Sequence, residues 1–181
     1  WCSTLKTVTF ADSSVLETIG DSAFYSSALI AITIPSTVKK IESSAFYKCG
    51  SLATVIFPSN SVLETISFGA FAGTALTAIT VPSTVKLIDE YAFYSCSKLA
   101  TVAFSSNSVL ETIGRGAFNI ATALTAITIP SKVKLIESGT FYKCSSLTTV
   151  TFSIDSVLET IGESAFHYAG LTAITVPSTV K

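Results

Sequence analysis

Four cysteines at nearly constant spacing are the first residues in this chain that could do chemistry. Cys2, Cys49, Cys96 and Cys144 lie 47, 47 and 48 residues apart. If a 47-residue unit makes two turns of a stacked coil, equivalent cysteines lie roughly 10 Å apart, beyond the ~7 Å limit for a disulfide and too far to share a zinc ion. We therefore expect buried, reduced thiols that act as small apolar side chains. An intermolecular bridge through Cys2 is the alternative.

Other candidates for catalysis are sparse. The single histidine, His167, follows Phe166. It occupies a position that other repeats fill with tyrosine, at Tyr25, Tyr47, Tyr94 and Tyr142, which predicts an aromatic column. No G-x-S-x-G, phosphate-binding or dinucleotide-binding motif is present. The repeated carboxylates are copies of one position, at Glu42, Asp89 and Glu137. We expect a protein without enzymatic activity, cofactor or metal.

An internal repeat must position all of these residues. One version reads S-V-L-E-T-I, here called the Glu repeat, and begins at Ser14, Ser61, Ser108 and Ser156. The other reads T-V-K-x-I, the Lys repeat, and begins at Thr37 and Thr84, with a third copy at Lys132. A phenylalanine recurs in every repeat, at Phe24, Phe46, Phe71, Phe93, Phe118, Phe141 and Phe166, with spacings of 22, 25, 22, 25, 23 and 25 residues. Such self-similarity is typical of solenoids.

Each repeat also contains a strand-like L-x-x-[IV]-x-[IVF] segment. These segments begin at Leu5, Leu29, Leu52, Leu76, Leu99, Leu124, Leu147 and Leu171. Alternation of side chains along a strand buries one set of Ile, Val or Phe, and one coil cannot cover that set alone. The pattern predicts an α/β or mostly β solenoid of eight coils over residues 1–181. A parallel sheet would form one side and the phenylalanine column the other.

The order of residues within a repeat resembles a known family. Ile41, Ala45-Phe46, Cys49, Leu52 and Val55 follow the pattern of the BspA-type (Treponema pallidum type) leucine-rich repeat, and the next Lys repeat does the same. The Glu repeats depart from it in lacking Cys. The resemblance implies a secreted or surface-displayed domain, extracellular or on the cell surface, that binds proteins or host surfaces.

Alternating charges recur at one position of the repeat. They are Glu17, Lys39, Glu64, Lys86, Glu111, Lys134, Glu159 and Lys181. In a stacked fold they form a column with a step near 4.8 Å. Exposed pairs contribute only about 0.2–1 kcal/mol each, so the main expected effect is to favour in-phase stacking over a one-coil slip. A ligand-binding charge stripe is the alternative.

Threonine and alanine dominate the outward strand positions. We predict a binding face that includes Thr33, Thr54, Thr80, Thr101, Thr128, Thr149, Thr151 and Thr175. A flat, uncharged face loses little side-chain entropy on docking, and its partner would be a protein, a glycan or another copy of the chain. The alternatives are a purely structural choice, since threonine suits strands, and an ice-binding array, although Ile56 and Ala103 interrupt it.

Composition limits the partners. Charged residues are 13% of the chain and the net charge is −1, so nothing favours nucleic acid or an anionic membrane. No apolar run approaches the ~18 residues of a membrane span, so membrane insertion is not expected.

Both ends of the sequence fall inside a Lys repeat, with no signal peptide and no Met, which suggests a segment of a longer array. The rival hypothesis is head-to-tail self-assembly into filaments or layers, with Trp1 at one end and Lys181 at the other.

Overall fold

Thirteen short strands form three parallel sheets. The computed structural model describes residues 3–181, and these residues contain no helix. The first sheet, the short-strand sheet, consists of β1 Thr18–Ile19, β3 Lys40–Ile41, β5 Thr65–Ile66, β7 Leu87–Ile88, β9 Thr112–Ile113, β11 Leu135–Ile136 and β13 Thr160–Ile161. The second sheet pairs β2 Ala31–Thr33 with β4 Thr54–Ile56. The third consists of β6 Ala78–Val81, β8 Thr101–Phe104, β10 Ala126–Ile129 and β12 Thr149–Phe152. The structure therefore confirms the prediction of a mostly β solenoid.

The alternation of side chains explains the second and third sheets. In β6, the Ala and Thr side chains are exposed while Ile and Val are buried. In β10, Ala and Thr are exposed in the same way while both Ile side chains are buried. The register is that of the sequence columns: Ala31 pairs with Thr54, and Thr80 with Ala103. The exposed side chains of β2, β4, β6, β8, β10 and β12 form a surface that we call the strand face.

The phenylalanine column runs through the hydrophobic core, with Phe24 and Phe166 partly buried at its ends. All seven rings from Phe24 to Phe166 stack on their neighbours, with centroids 5.1–5.5 Å apart. The predicted stacking contact between Phe24 and Phe46 is confirmed at 5.2 Å. Around each phenylalanine the chain turns twice through a left-handed conformation, two residues before the ring and two residues after it. Backbone N–H groups there donate to the next coil, as Phe46 N does to Ala70 O at 2.7 Å.

The expected number of coils needs a correction. Eight strand segments were predicted, but the segments that follow Leu5 and Leu171 do not form strands. The backbone contacts there are long, at 3.4 Å from Ile30 N to Lys6 O and 3.3 Å from Gly170 N to Cys144 O. A parallel strand is defined by its ladder, so these segments run beside the sheet without joining it.

Candidate functional site

Three of the four cysteines lie in the core as free thiols. Cys49, Cys96 and Cys144 have no exposed surface. Their Sγ atoms donate to the carbonyl oxygens of Phe24, Phe71 and Phe118 at 2.9–3.1 Å. Burial raises the pKa of the Cys96 thiol to about 11 and that of Cys144 to about 12. The prediction of buried, reduced thiols is confirmed for these three, while Cys2 lies outside the described residues.

The histidine and the repeated carboxylates have local structural contacts. His167 stacks on Tyr142 with ring centroids 5.6 Å apart, which confirms its place in the aromatic column. Asp89 Oδ1 accepts from the Glu90 backbone N at 2.8 Å, and Glu137 Oε2 accepts from the Arg115 backbone N at 3.0 Å. Within residues 3–181, no three His, Cys, Asp or Glu side chains are grouped to hold a metal ion.

The charge column is present as predicted. Backbone hydrogen bonds of 2.8–3.0 Å connect successive members all the way from Glu17 to Lys181. Along the part of the column that the structure describes, the ion pairs join a Glu to the Lys of the following coil: Lys39–Glu17 at 2.8 Å, Lys86–Glu64 at 2.9 Å and Lys134–Glu111 at 2.9 Å. These side chains are about half exposed or more, so each pair contributes little energy.

The predicted binding face is a continuous exposed surface. Thr33, Thr54, Thr80, Thr101, Thr128, Thr149 and Thr151 lie on strands and Thr175 beside them, and all eight are exposed. Every outward side chain on the six strands is Thr or Ala except Ile56. The sequence therefore places these threonines together correctly.

The strand face is not flat, and that part of the prediction is wrong. The strands are fully paired within β2–β4, β6–β8 and β10–β12. Between these pairs the sheet loosens: β8 and β10 share only the Thr101–Ala126 position, and β4 and β6 belong to separate sheets. The backbone distance from Thr77 N to Ala53 O is 3.4 Å, against 2.9 Å from Ala100 N to Thr77 O within a pair. The strands therefore part at every second step.

Three depressions lie along the strand face, one at the loosened joint between β8 and β10 and two beside the terminal segments. The central groove, between β8 and β10, has a volume of about 680 Å³. The N-terminal groove lies between residues 8–12 and β2 at about 450 Å³, and the C-terminal groove lies between β12 and residues 172–177 at about 600 Å³. Each contains one Phe, one Thr and one Pro at equivalent positions, which are Phe104, Thr128 and Pro130; Phe10, Thr33 and Pro35; and Phe152, Thr175 and Pro177.

Turn lengths carried a signal for these grooves. A longer turn follows every second strand segment, at residues 10–16, 57–63, 104–110 and 152–158. Shorter turns at residues 34–38, 81–85 and 129–133 alternate with them. Each of the three grooves is lined in part by one of the longer turns, as residues 105–109 line the central groove.

The stacked parallel strands, the leucine that is buried at the start of six of the eight segments and the continuous phenylalanine column define a leucine-rich repeat solenoid. The chain belongs to the family described as the BspA type leucine rich repeat region, whose model matches residues 1–100 and 64–181 in 6 copies. No curated protein matches the chain.

Solved structures share the fold. A leucine-rich repeat protein from Bacteroides ovatus is 26% identical, with a TM-score of 0.67 over 90% of this chain and 47% of that protein. The pneumococcal vaccine antigen PcpA is 29% identical, with a TM-score of 0.70 over 78% of this chain and 37% of that one. The Treponema pallidum leucine rich repeat protein is 33% identical, with a TM-score of 0.64 over 70% and 60%. The chain thus spans between about a third and three fifths of these proteins.

The part of the chain that the structure describes holds no helix with the length and apolarity needed to cross a bilayer.

Proposed function

We propose that the chain is a non-enzymatic binding domain, displayed outside the cell or on its surface, and that the strand face binds a protein or glycan partner. The observation that carries the proposal is the array of exposed threonines, with three grooves beside it, along one side of the solenoid. Repeat proteins use such extended surfaces for binding because neighbouring coils present equivalent side chains side by side.

The chemistry of the face suits an uncharged partner. None of the outward strand side chains is charged, and the charged side chains at the grooves are Asp12 in the N-terminal groove and Lys132 in the central one. Threonine hydroxyls both donate and accept hydrogen bonds. Short side chains lose less rotamer entropy on docking than Lys, Arg or Glu do. The face therefore favours contact by shape and hydrogen bonds over contact by charge.

Surface display is supported by the relatives. A protein that is 29% identical is a pneumococcal vaccine antigen, and a vaccine antigen is most useful where antibodies reach it.

Substitutions on the strand face test the proposal. The combined variant Thr80→Arg, Thr128→Arg, Thr151→Arg puts three long charged side chains onto the face. Binding to an array of immobilised extracellular proteins and glycans is then measured for both chains. We expect at least about a tenfold loss of affinity for the bound partner, equivalent to ~1.4 kcal/mol.

The matched control is Thr18→Arg, Thr160→Arg, which places arginine at exposed threonines of the short-strand sheet. It is expected to bind like the unchanged chain. Equal binding by the strand-face variant, with the fold intact by circular dichroism, contradicts the proposal.

Head-to-tail self-assembly stays a prediction, and Trp1 lies outside the described residues. Light scattering of the purified chain at high concentration distinguishes a monomer from filaments. The ice-binding alternative is weakened, because the grooves and the Ile56 and Ala103 side chains interrupt a flat threonine array.

A further inference from the structure

Exposed valines accompany the charge column along its length. In each Glu repeat a valine stands two residues before the Glu, and the leucine between them points into the core. Because side chains alternate along extended backbone, each valine points outward on the same side as its Glu. The four valines are Val15, Val62, Val109 and Val157, and each is 37–84% exposed. We call the charge column and the column that contains these valines the valine–charge face.

The Lys repeats place lower side chains at the same position. Thr37, Thr84 and Thr179 stand there, and each hydroxyl donates to a carbonyl oxygen of the preceding coil at 2.6–2.7 Å. These hydrogen bonds hold the short side chains down against the backbone. Lys132 is the exception among the Lys repeats. The valine–charge face therefore carries apolar knobs on the Glu coils and hollows on the Lys coils.

One hollow is a depression of about 290 Å³ over Thr84. Val62 and Val109, from the coils on either side, line it, together with Glu64 and Lys86 of the charge column. An apolar side chain seated between the two valines would remove their exposed surface from water, which favours contact. A partner that fits this face therefore presents an apolar knob at every second coil and charges that alternate in sign.

A second copy of the chain carries this pattern in reverse. We consider a twofold axis that is perpendicular to the solenoid axis and passes between the coils of Lys86 and Glu111. Lys86 then faces Glu111 of the second copy, and Glu64 faces Lys134. The same rotation sets Val109 of one copy opposite the hollow over Thr84 of the other. One axis thus satisfies charge and shape together, because knobs and charges alternate from coil to coil in the same phase.

Other arrangements of two copies match less well. A twofold axis parallel to the solenoid would place each charge opposite its own copy, so that Glu faces Glu. A parallel copy shifted by one coil restores opposite charges, but such a contact does not close on itself. The antiparallel match holds for any stretch of the repeat, since reversing an alternating series about such an axis always sets Glu against Lys.

We propose that the chain forms an antiparallel, side-by-side dimer through the valine–charge face. Closed twofold dimers are the commonest assemblies of identical subunits. Over eight coils the contact is about 34 Å long, and its exposed charges fix register and orientation more than affinity. Because the contact is only two columns wide, we expect a reversible dimer with a Kd on the order of 10–100 µM.

The dimer goes beyond the proposed function. The threonines of the strand face belong to neither column of the valine–charge face, so they stay outside the contact. A dimer presents two strand faces, and a multivalent partner that engages both gains avidity.

Charge reversal tests the pairing of coils. Sedimentation of the 181-residue chain over a concentration series measures its self-association. Glu64→Lys and Lys134→Glu each set like charges against one another twice across the twofold axis, so each variant alone is expected to associate at least about tenfold more weakly. An equimolar mixture of the two variants is expected to regain most of the affinity, since each introduced charge then faces its opposite. A parallel copy shifted by one coil never sets position 64 against position 134, so that arrangement gives no recovery.

A substitution at the central knob tests the fit of shape. Val109→Arg brings a long charged side chain to the hollow over Thr84 and is expected to weaken association at least about tenfold. The matched control is Thr128→Arg, which makes the same change in size and charge on the strand face. It is expected to dimerise like the unchanged chain, and circular dichroism checks the fold of every variant.

Three outcomes overturn the inference. The first is a chain that stays monomeric at the highest concentration measured. The second is self-association that neither Val109→Arg nor the charge reversals weaken, which would assign the contact to another surface such as the ends of the solenoid. The third is weakening by both charge reversals without recovery in the mixture. None of them bears on the strand face, so the proposed function is tested separately on the protein and glycan array.

Discussion

Adding one methyl group between two coils is a direct test of how tightly they stack. Gly162 and Gly114 occupy equivalent positions after the short strands. A Cβ at Gly114 would lie 2.7 Å from both Asp89 C and Glu90 N, and one at Gly162 would lie 2.6 Å from Glu137 C and closer still to Ser138 N. These are backbone atoms of the preceding coil, so no side chain can rotate to relieve the contact. Gly20 holds the same position in the first coil, where a Cβ would meet nothing within 4 Å.

The magnitude follows from these contacts. Overpacking of a well-packed interior costs typically about 1–3 kcal/mol, and a backbone contact this short falls toward the upper part of that range. For a chain of 150–250 residues, 1 kcal/mol lowers the melting temperature by about 2–4 °C. Gly162→Ala is therefore expected to lower it by about 4–12 °C. Gly20→Ala is expected to leave it unchanged or to raise stability by about 0.4–1 kcal/mol, since alanine restricts the unfolded chain.

Circular dichroism during heating measures both variants, and hydrogen exchange locates the effect. Exchange is expected to rise in the coils around Ser138 and Gly162, because stability in a solenoid depends on interfaces between neighbours. The reasoning attributes the need for glycine at position 162 to direct contact with the backbone of the preceding coil. Equal melting temperatures for the two variants would refute it.

Two further predictions concern hydroxyl and thiol groups. Thr37, Thr84 and Thr179 donate from Oγ1 to the carbonyl oxygens of Leu16, Leu63 and Leu158 at 2.6–2.7 Å, and Lys132 replaces this threonine in the remaining Lys repeat. Lys132→Thr should therefore stabilise the fold by about 0.5–1.5 kcal/mol in urea unfolding, with Thr84→Ala losing a similar amount as the matched control; no gain in the first variant contradicts the assignment. Burial raises the pKa of Cys96 to about 11 and that of Cys144 to about 12, so folding favours the protonated thiol. The contribution of these thiols to stability is therefore complete below the thiol pKa of the unfolded chain, and it falls as pH rises from about 9 toward 12. Unfolding midpoints at pH 8 and pH 11 check this, and the fall should be smaller in Cys96→Ala, Cys144→Ala; an equal fall in both chains would show that other groups cause it.

The sequence predicted the side-chain columns that the repeat copies from coil to coil. The stack from Phe24 to Phe166, the buried thiols and the alternating charge column follow from residue type and period alone. The register of Thr80 opposite Ala103 is correct for the same reason. Stacking neighbours bring equivalent positions together whatever the local conformation.

Features that depend on backbone geometry could not be predicted from residue type and repeat period. The joint between β8 and β10 is loose because the two strands pair only at Thr101 and Ala126. Ile120 adopts a left-handed conformation with φ 61°, which is unusual for a β-branched residue. Ile120 occupies the turn position that Gly73 holds one 47-residue unit earlier, and that position is left-handed in both units. The end segments were predicted as strands from their residues, whereas a strand also needs an adjacent ladder.

An arginine scan of exposed threonines tests the central claim, that the strand face is the binding surface. Each of the eight strand-face threonines, together with Thr18 and Thr160 on the short-strand sheet, is replaced singly, and affinity is measured for the partner found on the protein and glycan array. The account predicts losses at the strand-face positions, greatest at Thr128 in the largest groove, and unchanged affinity at Thr18 and Thr160. Full binding by all eight strand-face variants, or losses confined to the short-strand sheet, would contradict it.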